Sequence, residues 1–209
     1  MTLTTFFMTP LRLFYETVTV PAFKNKLAKS VAMLCDNDSS ILDVGCDDGV
    51  VSKLIMELNP SLKIVGVDIQ SDRPSMIPKK VYDGKRLPYS DHSFDVVISI
   101  NVLHHVKDIP SLLKEMTRVS SKHVIIKDFV TYSIFSKIYH CIFDYVTTVP
   151  YGIKCVYNFP SYREWNHYFE KSGLKLIKSA KFTFGPKFIH KYYPIFKLTT
   201  QRSSENSNK

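Results

Sequence analysis

One stretch of the chain decides the fold: Ile41-Leu42-Asp43-Val44-Gly45-Cys46-Asp47-Asp48-Gly49-Val50. Its first four residues are mostly apolar, which is typical of a buried strand, and Val50 begins a helical apolar pattern that continues to Leu58. Gly45 and Gly49 bracket the sharp turn between strand and helix. Because glycine permits a close approach, the backbone N–H groups at such a helix start are open to a ligand.

The acidic character of this turn favours one class of ligand. Asp43, Asp47 and Asp48 lie around the two glycines. A dinucleotide site calls for a third glycine and a tightly packed helix start that receives a pyrophosphate. Carboxylates are a poor environment for phosphate, so the turn is better suited to a cationic or amino-bearing ligand.

A second predicted strand, Leu62–Ile69, has an acidic residue near its end. In an open parallel sheet, ligands bind outside the carboxyl ends of the strands, so Asp68 is expected at the site. A carboxylate there can accept hydrogen bonds from both hydroxyls of a ribose. The alternative is that Asp68 caps a helix or is solvated in a loop.

The remaining pattern alternates strands with helices and closes with a hairpin. Strands are predicted around Val81, over Val96–Ile100 and over His123–Asp128. Helices are predicted from about Pro110, over 133–147 and after Ser161, and Leu174–Phe184 is predicted to form a hairpin with Phe188–Leu198. At most a turn or two of helix is expected between the second and third strands. This order predicts an α/β sandwich of three layers, with a mostly parallel, seven-stranded sheet that ends in a C-terminal antiparallel hairpin.

The length of 209 residues fits one domain, which is expected over residues 1–198. Residues 5–34 are predicted to form an N-terminal helical cap, and the aromatic-rich segment 129–160 an inserted lid. The polar segment 199–209 is predicted to be disordered. An uninterrupted apolar run of roughly 18 residues, as a membrane-spanning helix requires, does not occur in the sequence.

Charge is distributed unevenly along the chain. The first hundred residues hold 11 Lys and Arg against 12 Asp and Glu, whereas residues 101–209 hold 17 against 7. The basic half is either a solvated surface or a means of attracting an anionic substrate, a nucleic acid or a membrane surface. Four cysteines, whose spacing matches neither a disulfide framework nor a metal site, indicate reduced thiols in a cytoplasmic protein.

Taken together, the motifs resemble those of class I S-adenosylmethionine-dependent methyltransferases, and especially the ubiquinone/menaquinone C-methyltransferase-like group, methyltransferase domain type 11. The motifs that carry this resemblance are Ile41–Val50, Val65–Asp68, Asp83–Pro88, Ser93–Val97 and Leu103–Val106. The match covers roughly residues 39–130, and the helix and hairpin after residue 160 also fit. The resemblance implies a Rossmann-like sheet and S-adenosylmethionine as the cofactor, with S-adenosylhomocysteine as the product.

The resemblance also implies which positions contact the cofactor. The amino-acid end is expected at Asp43, Gly45, Cys46 and Gly49, the ribose at Asp68, the adenine at Ile69, Asp83 and Gly84, and the methionine portion at Ile100 and Asn101. Asp47 departs from the family, because it stands where the middle glycine of the turn is expected. Aspartate tolerates unusual backbone angles better than most residues.

Two histidines follow the fourth predicted strand, close to the expected position of the transferred methyl group. His104 and His105 have a suitable pKa for a general base, with His105 preferred, although one of the pair can instead be structural. Asp128 and His140 are further candidates for the base. The acceptor is expected to contact Tyr15, His140 and Arg163. No metal site is expected.

Three functions are compatible with these features. The first is a small-molecule methyltransferase, directed at oxygen or nitrogen of an acceptor that bears a phosphate, phosphonate or carboxylate. The second is an RNA or protein methyltransferase that uses the basic half; nucleic acid is not the expected partner, because the chain lacks an Asn-Pro-Pro-Tyr-type motif and a continuous basic stripe. The third is an inactive cofactor-binding protein. The oligomeric state is left open.

Overall fold

The computed structural model describes residues 20–37, 39–70, 73–148, 155–183 and 193–200. The helices are α1 (Val20–Ala32), α2 (Val50–Leu58), α3 (Ile109–Val119), α4 (Ile134–Thr148) and α5 (Tyr162–Lys171), with a 3-10 turn at Leu103–His105. The strands are β1 (Ser40–Val44), β2 (Lys63–Asp68), β3 (Lys79–Val81), β4 (Phe94–Ile100), β5 (Ser120–Lys127), β6 (Leu174–Phe182) and β7 (Tyr193–Thr200).

The seven strands form one sheet in the order β3-β2-β1-β4-β5-β7-β6. The five N-terminal strands are parallel, whereas β7 lies between β5 and β6 and is antiparallel to both. This confirms the predicted α/β fold with its C-terminal hairpin. The strand order reverses between β1 and β4, and the crevice at the carboxyl ends of such strands is where doubly wound sheets bind ligands.

Helices cover both faces of the sheet. Successive side chains of a central strand point to opposite sides, so an apolar strand presents apolar side chains to both layers of helices. In β1, Leu42 and Val44 belong to the apolar cluster that includes α3 and α5, whereas Ile41 belongs to the cluster that includes α1 and α2. Within α5, fully buried Trp165 donates a hydrogen bond from Nε1 to the carbonyl oxygen of Phe129, 2.9 Å away. This contact fixes the chain just after β5.

Some predicted boundaries need correction. β7 runs through Thr200, so two residues of the predicted disordered segment 199–209 are strand residues that pair with β6. No helix forms in the described residues between β2 and β3, where Pro74 and Pro78 interrupt helical hydrogen bonding. The predicted helix before α1, the turn of the predicted hairpin and residues 201–209 lie outside the described residues. Within the described ranges, no helix is long and apolar enough to cross a bilayer.

Candidate active site

A cavity of about 750 Å³ lies at the carboxyl ends of β1, β2, β4 and β5. It brings together most of the residues that the sequence predicted to be functional: Asp43, Gly45, Cys46, Asp68, Ile69, Gly84, Ile100, Asn101, His104 and His105. These residues come from four separate strand ends and the loops that follow them. The fold therefore assembles the predicted site from segments that are far apart in the sequence.

The turn after β1 has a left-handed backbone at both of its glycines. Gly45 has φ 79°, and a Cβ atom there would lie 2.4 Å from Cγ2 of Val102. Gly49 has φ 69° and precedes α2, but a Cβ there would meet Ser75 at 2.7 Å, and Gly49 does not line the cavity. The missing side chain of Gly49 makes room for the loop before β3, and its expected contact with the cofactor stays a prediction.

Asp47 also adopts a left-handed conformation, with φ 47°. Its Oδ1 atom lies 2.8 Å from Nη1 of Arg73, and the neighbouring Asp48 pairs with Lys24 of α1 through a 2.8 Å contact between Oδ2 and Nζ. The aspartate that stands in place of a glycine is accommodated by the backbone, and a basic side chain pairs with its charge. The sequence did not predict either basic partner.

Asp68 is held at the cavity wall by two backbone groups. Its Oδ2 atom accepts a hydrogen bond from the N–H of Asp47 and its Oδ1 atom accepts one from the N–H of Gln70, both at 2.9 Å. Each carboxylate oxygen has further acceptor capacity. The carboxylate is therefore fixed in place and can still accept hydrogen bonds from a ligand in the cavity.

Asp43 is buried beneath the same turn. Ser52 donates a 2.6 Å hydrogen bond from Oγ to Oδ2 of Asp43. Burial raises the pKa of Asp43 to about 7, even though the Ser52 hydrogen bond opposes this effect. A cationic ligand beside Asp43 would favour the ionised form and lower this pKa again.

Of the three predicted adenine contacts, two line the cavity and one does not. Ile69, exposed at 64%, and Gly84 lie next to each other on the cavity wall, with Cγ2 of Ile69 3.3 Å from a Cβ atom built on Gly84. Asp83 is exposed and does not line the cavity. The Oδ1 atom of Asp83 accepts hydrogen bonds from the backbone N–H groups of Lys85 and Arg86, and these hydrogen bonds lower the pKa of Asp83. Asp83 therefore stabilises a loop in this structure.

His104 is fixed between two buried carboxylates. Its Nδ1 lies 2.7 Å from Oδ1 of Asp128, and its Nε2 lies 3.5 Å from Oδ1 of Asp144. Burial favours the neutral ring, but the two carboxylates outweigh it and raise the pKa of His104 to about 9. Burial likewise disfavours the charged carboxyls, yet the adjacent His104 keeps the pKa of both below the usual range.

His105 is the partly accessible member of the pair. Its side chain is 19% exposed, and its Nε2 lies 3.7 Å from the same Oδ1 atom of Asp144. Asp144 belongs to α4, and the sequence reasoning did not identify it as a site residue. It is the one acidic residue in this largely apolar helix, which is the signal that could have indicated it.

A buried lysine lies beside the histidine pair. Lys127, at the end of β5, is 1% exposed, and its Nζ donates a 2.5 Å hydrogen bond to Oδ1 of Asn101. Its Nζ also lies 4.8–5.7 Å from the centroids of four aromatic rings, those of Phe23, Phe129, Phe182 and Tyr193. Burial lowers the pKa of Lys127 to about 8.

Of the predicted acceptor contacts, His140 and Arg163 do not line the cavity. His140 is buried in α4 and packs against the rings of Phe129 and Phe159, and it does not line the cavity. Arg163 is exposed in the first turn of α5, and it is likewise absent from the cavity wall. Tyr15 lies outside the described residues. The wall is formed instead by Tyr139, Phe143, Asp144, Thr147 and Thr148 of α4.

Comparison with known proteins now identifies the family. The sequence model of a family described as a methyltransferase domain, Methyltransf_23, matches residues 19–179. The chain belongs to this methyltransferase family. The predictions of the family, the enzyme class and S-adenosylmethionine as the cofactor are therefore confirmed.

Curated relatives differ in how much of their length is matched. A demethylmenaquinone methyltransferase from Bacillus cytotoxicus is 28% identical over 182 residues, which cover 73% of this chain and 76% of the relative. A tRNA U34 carboxymethyltransferase from Nautilia profundicola is 30% identical over 90 residues, but these cover only 38% of this chain and 30% of the relative. The second match is confined to part of each protein.

Solved structures with low sequence identity share the fold. A SAM-dependent methyltransferase from Methanosarcina mazei is 16% identical, with a TM-score of 0.61 over 81% of this chain and 96% of its own. The magnesium protoporphyrin IX methyltransferase of Synechocystis PCC 6803, solved with bound SAH, is 11% identical, with a TM-score of 0.59 over 92% of this chain and 99% of its own.

Proposed function

We propose that the protein transfers the methyl group of S-adenosylmethionine to an oxygen or nitrogen atom of a small acceptor that carries an anionic group. The observation that supports this proposal most strongly is that one cavity contains both acidic residues, suited to the cofactor, and the buried cation of Lys127. Methyl transfer from a sulfonium is an in-line displacement. Much of its acceleration can come from holding nucleophile, methyl carbon and sulfur in line.

The acidic end of the cavity is assigned to the cofactor. Asp68 would accept the ribose hydroxyls, because both of its oxygens are fixed by backbone groups and retain acceptor capacity. Asp43, in the neighbouring strand β1, would favour the cationic ammonium or sulfonium group. Ile69 and Gly84 would contact the adenine, and Ile100 and Asn101 the methionine portion.

The remainder of the cavity is assigned to the acceptor. A volume of about 750 Å³, shared between cofactor and acceptor, suits a small acceptor molecule. Phe129, Tyr139, Phe143 and Tyr193 offer aromatic walls, and Lys127 offers a positive charge in an environment that strengthens an ion pair. Relatives named for demethylmenaquinone and for malonyl-acyl-carrier-protein O-methylation are compatible with non-nucleic-acid acceptors.

The acceptor proton is assigned to the cluster of His104, His105 and Asp144. His105 is its accessible member, whereas His104 is buried between the carboxylates of Asp128 and Asp144 and acts as a positioning residue. Replacing His105 with alanine should lower turnover and leave cofactor affinity unchanged. Full activity of the variant would return His105 to a structural role.

The acceptor's charge is tested by comparing Lys127→Met with Lys114→Met, an exposed lysine on α3. S-adenosylhomocysteine formation is measured against a panel of phenols, amines and quinols, each with and without a carboxylate or phosphate. Lys127→Met should lose at least about tenfold in kcat/KM for the anionic member of each active pair, since a charged hydrogen bond is worth about 1.5–3 kcal/mol. An unchanged preference, with cofactor binding intact, would contradict the anionic acceptor.

RNA is the alternative acceptor, in view of the partial match to a tRNA-modifying enzyme. Binding to phosphates releases counterions and therefore weakens steeply as salt rises. Titration of the protein with total tRNA at several salt concentrations should give no binding near physiological ionic strength. Salt-sensitive binding, together with methylation of the RNA, would replace the small-molecule proposal.

A further inference from the structure

Three side chains that are common metal ligands converge on the wall of the cavity. Each of His104, His105 and Asp144 has a ligand atom within 4.8 Å of those of the other two. The Oδ1 atom of Asp144 lies 3.5 Å from Nε2 of His104 and 3.7 Å from Nε2 of His105. The two imidazole rings are only 4.0 Å apart between centroids, because the residues are adjacent in a 3-10 turn.

These separations fit ligands of one ion better than direct hydrogen bonds. A hydrogen bond between nitrogen and oxygen is best at about 2.7–3.2 Å, so the contacts of Asp144 with both rings are long. Ligand atoms that lie about 2.0–2.1 Å from a tetrahedral ion are separated from one another by roughly 3.4 Å. The observed spacing of 3.5 Å and 3.7 Å is close to that value.

The support behind His104 is also that of a metal ligand. Its Nδ1 is hydrogen-bonded to Oδ1 of Asp128, and Asp128 is itself fixed by the N–H groups of Leu103, at 2.8 Å, and Phe129, at 2.7 Å. Metal-bound histidines usually donate their second N–H to a carboxylate in this way, which fixes the ring and increases its basicity. The Nε2 atom of His104 is thereby directed towards Asp144.

We propose that His104, His105 and Asp144 bind a divalent transition-metal ion. Two imidazoles and one carboxylate suit Zn²⁺, Fe²⁺ or Co²⁺, whereas Mg²⁺ and Ca²⁺ prefer ligand sets made of oxygen. All three residues line the cavity, so a further ligand of the ion would come from the acceptor or from water. Any role of the ion towards the acceptor rests on the proposed function. When the ion is bound, His105 acts as a metal ligand. The metal site itself does not depend on the proposed function.

The test uses the full chain, free of affinity tag and chelator-treated. Co²⁺ is titrated into the protein without cofactor or acceptor, and the visible absorption of bound Co²⁺ is recorded, followed by competition with Zn²⁺. One Co²⁺ should bind per chain. Asp144→Asn and His105→Ala should abolish the signal, and Asp128→Asn should weaken the affinity by about 10- to 100-fold.

Two controls separate this site from incidental binding. His123→Ala removes the histidine of a surface pair in which Nε2 lies 3.7 Å from Oδ2 of Asp36, and it should leave the titration unchanged. Cys155→Ser removes a thiol that contacts Asp144 and lies 3.1 Å from Oγ1 of Thr148; it should retain the signal, which would show that the thiol is not itself the ligand. Circular dichroism of each variant verifies that the fold is preserved.

Absence of stoichiometric Co²⁺ and Zn²⁺ binding by the folded wild type would overturn the inference. Binding of the ion by folded His105→Ala and Asp144→Asn with the same affinity as the wild type would overturn it as well. Binding of S-adenosylmethionine is measured on the same samples. Cofactor binding and methyl transfer by a protein that binds no ion would refute the metal site alone. An ion bound by a protein that transfers no methyl group to any acceptor in the panel would refute the proposed function alone.

Discussion

Gly45 offers a direct test of the turn that holds the cofactor, because the chain contains a matched control. Gly45 and Gly173 both have left-handed backbones, with φ of 79° and 70°. A Cβ at Gly45 would lie 2.4 Å and 2.7 Å from the two methyl carbons of Val102, whereas a Cβ at Gly173 would meet nothing within 4 Å. The two alanine variants therefore share the backbone cost and differ in the steric clash.

The magnitudes follow from these distances. A left-handed conformation costs an L-residue about 1–2 kcal/mol, and this is the expected loss of unfolding free energy for Gly173→Ala. Overpacking adds about 1–3 kcal/mol, so Gly45→Ala should lose about 2–5 kcal/mol in all. Gly45 and Val102 both line the cavity, and the shift that relieves the clash should also weaken cofactor binding.

Urea denaturation, followed by circular dichroism, measures the free energy of unfolding of both variants and of the wild type. Isothermal titration calorimetry then measures the affinity for S-adenosylmethionine. Gly173→Ala should bind as the wild type does, because Gly173 is remote from the cavity wall. The reasoning is refuted if Gly45→Ala is no less stable than Gly173→Ala, or if it binds the cofactor with unchanged affinity.

Two further predictions concern charged residues of the N-terminal half. Asp47→Gly should change the unfolding free energy by less than about 1 kcal/mol and retain cofactor binding. Glycine adopts φ 47° freely, and the half-exposed ion pair of Asp47 with Arg73 contributes little to stability. A larger loss of unfolding free energy in urea denaturation would show that the aspartate is required. The pKa of Asp95 is lowered to about 2, first by the backbone N–H of Ser40 and then by Lys122. Because this pKa is lower in the folded protein than the value of 3.8 expected in the unfolded chain, the ionised carboxylate stabilises the fold above pH 3.8, and this contribution is lost as pH falls towards 2. Asp95→Asn should therefore flatten the decline of unfolding free energy between pH 3.8 and pH 2. A decline as steep as that of the wild type would contradict the assignment.

Local patterns were sufficient to predict the frame of the fold. The apolar run before Gly45, the acid at the end of β2 and the histidines after β4 are each encoded within a few residues, and parallel strands bring their carboxyl ends to one edge. Asp43, Asp68 and His105 were therefore predicted at the position where the structure has them. The antiparallel hairpin followed in the same way from alternating apolar residues.

Residues whose position depends on how helices pack could not be predicted. Asp144 reaches the histidines only because α4 lies across the cavity, and no spacing in the sequence fixes that placement. Arg163 was predicted to contact the acceptor from its charge alone, yet it lies exposed in the first turn of α5. Asp83 satisfied the family's motif, but its side chain is used by the backbone of its own loop.

The central claim is that the acidic strand ends form an S-adenosylmethionine site, and calorimetric titration of Asp68→Ala tests it most directly. The wild type should bind the cofactor, and Asp68→Ala should bind at least about tenfold more weakly, because it loses hydrogen bonds to a charged carboxylate worth about 1.5–3 kcal/mol. Asp91→Ala, which changes an aspartate whose side chain is 65% exposed, should bind as the wild type does. Equal affinity of all three proteins, or no binding by the wild type, would contradict the account.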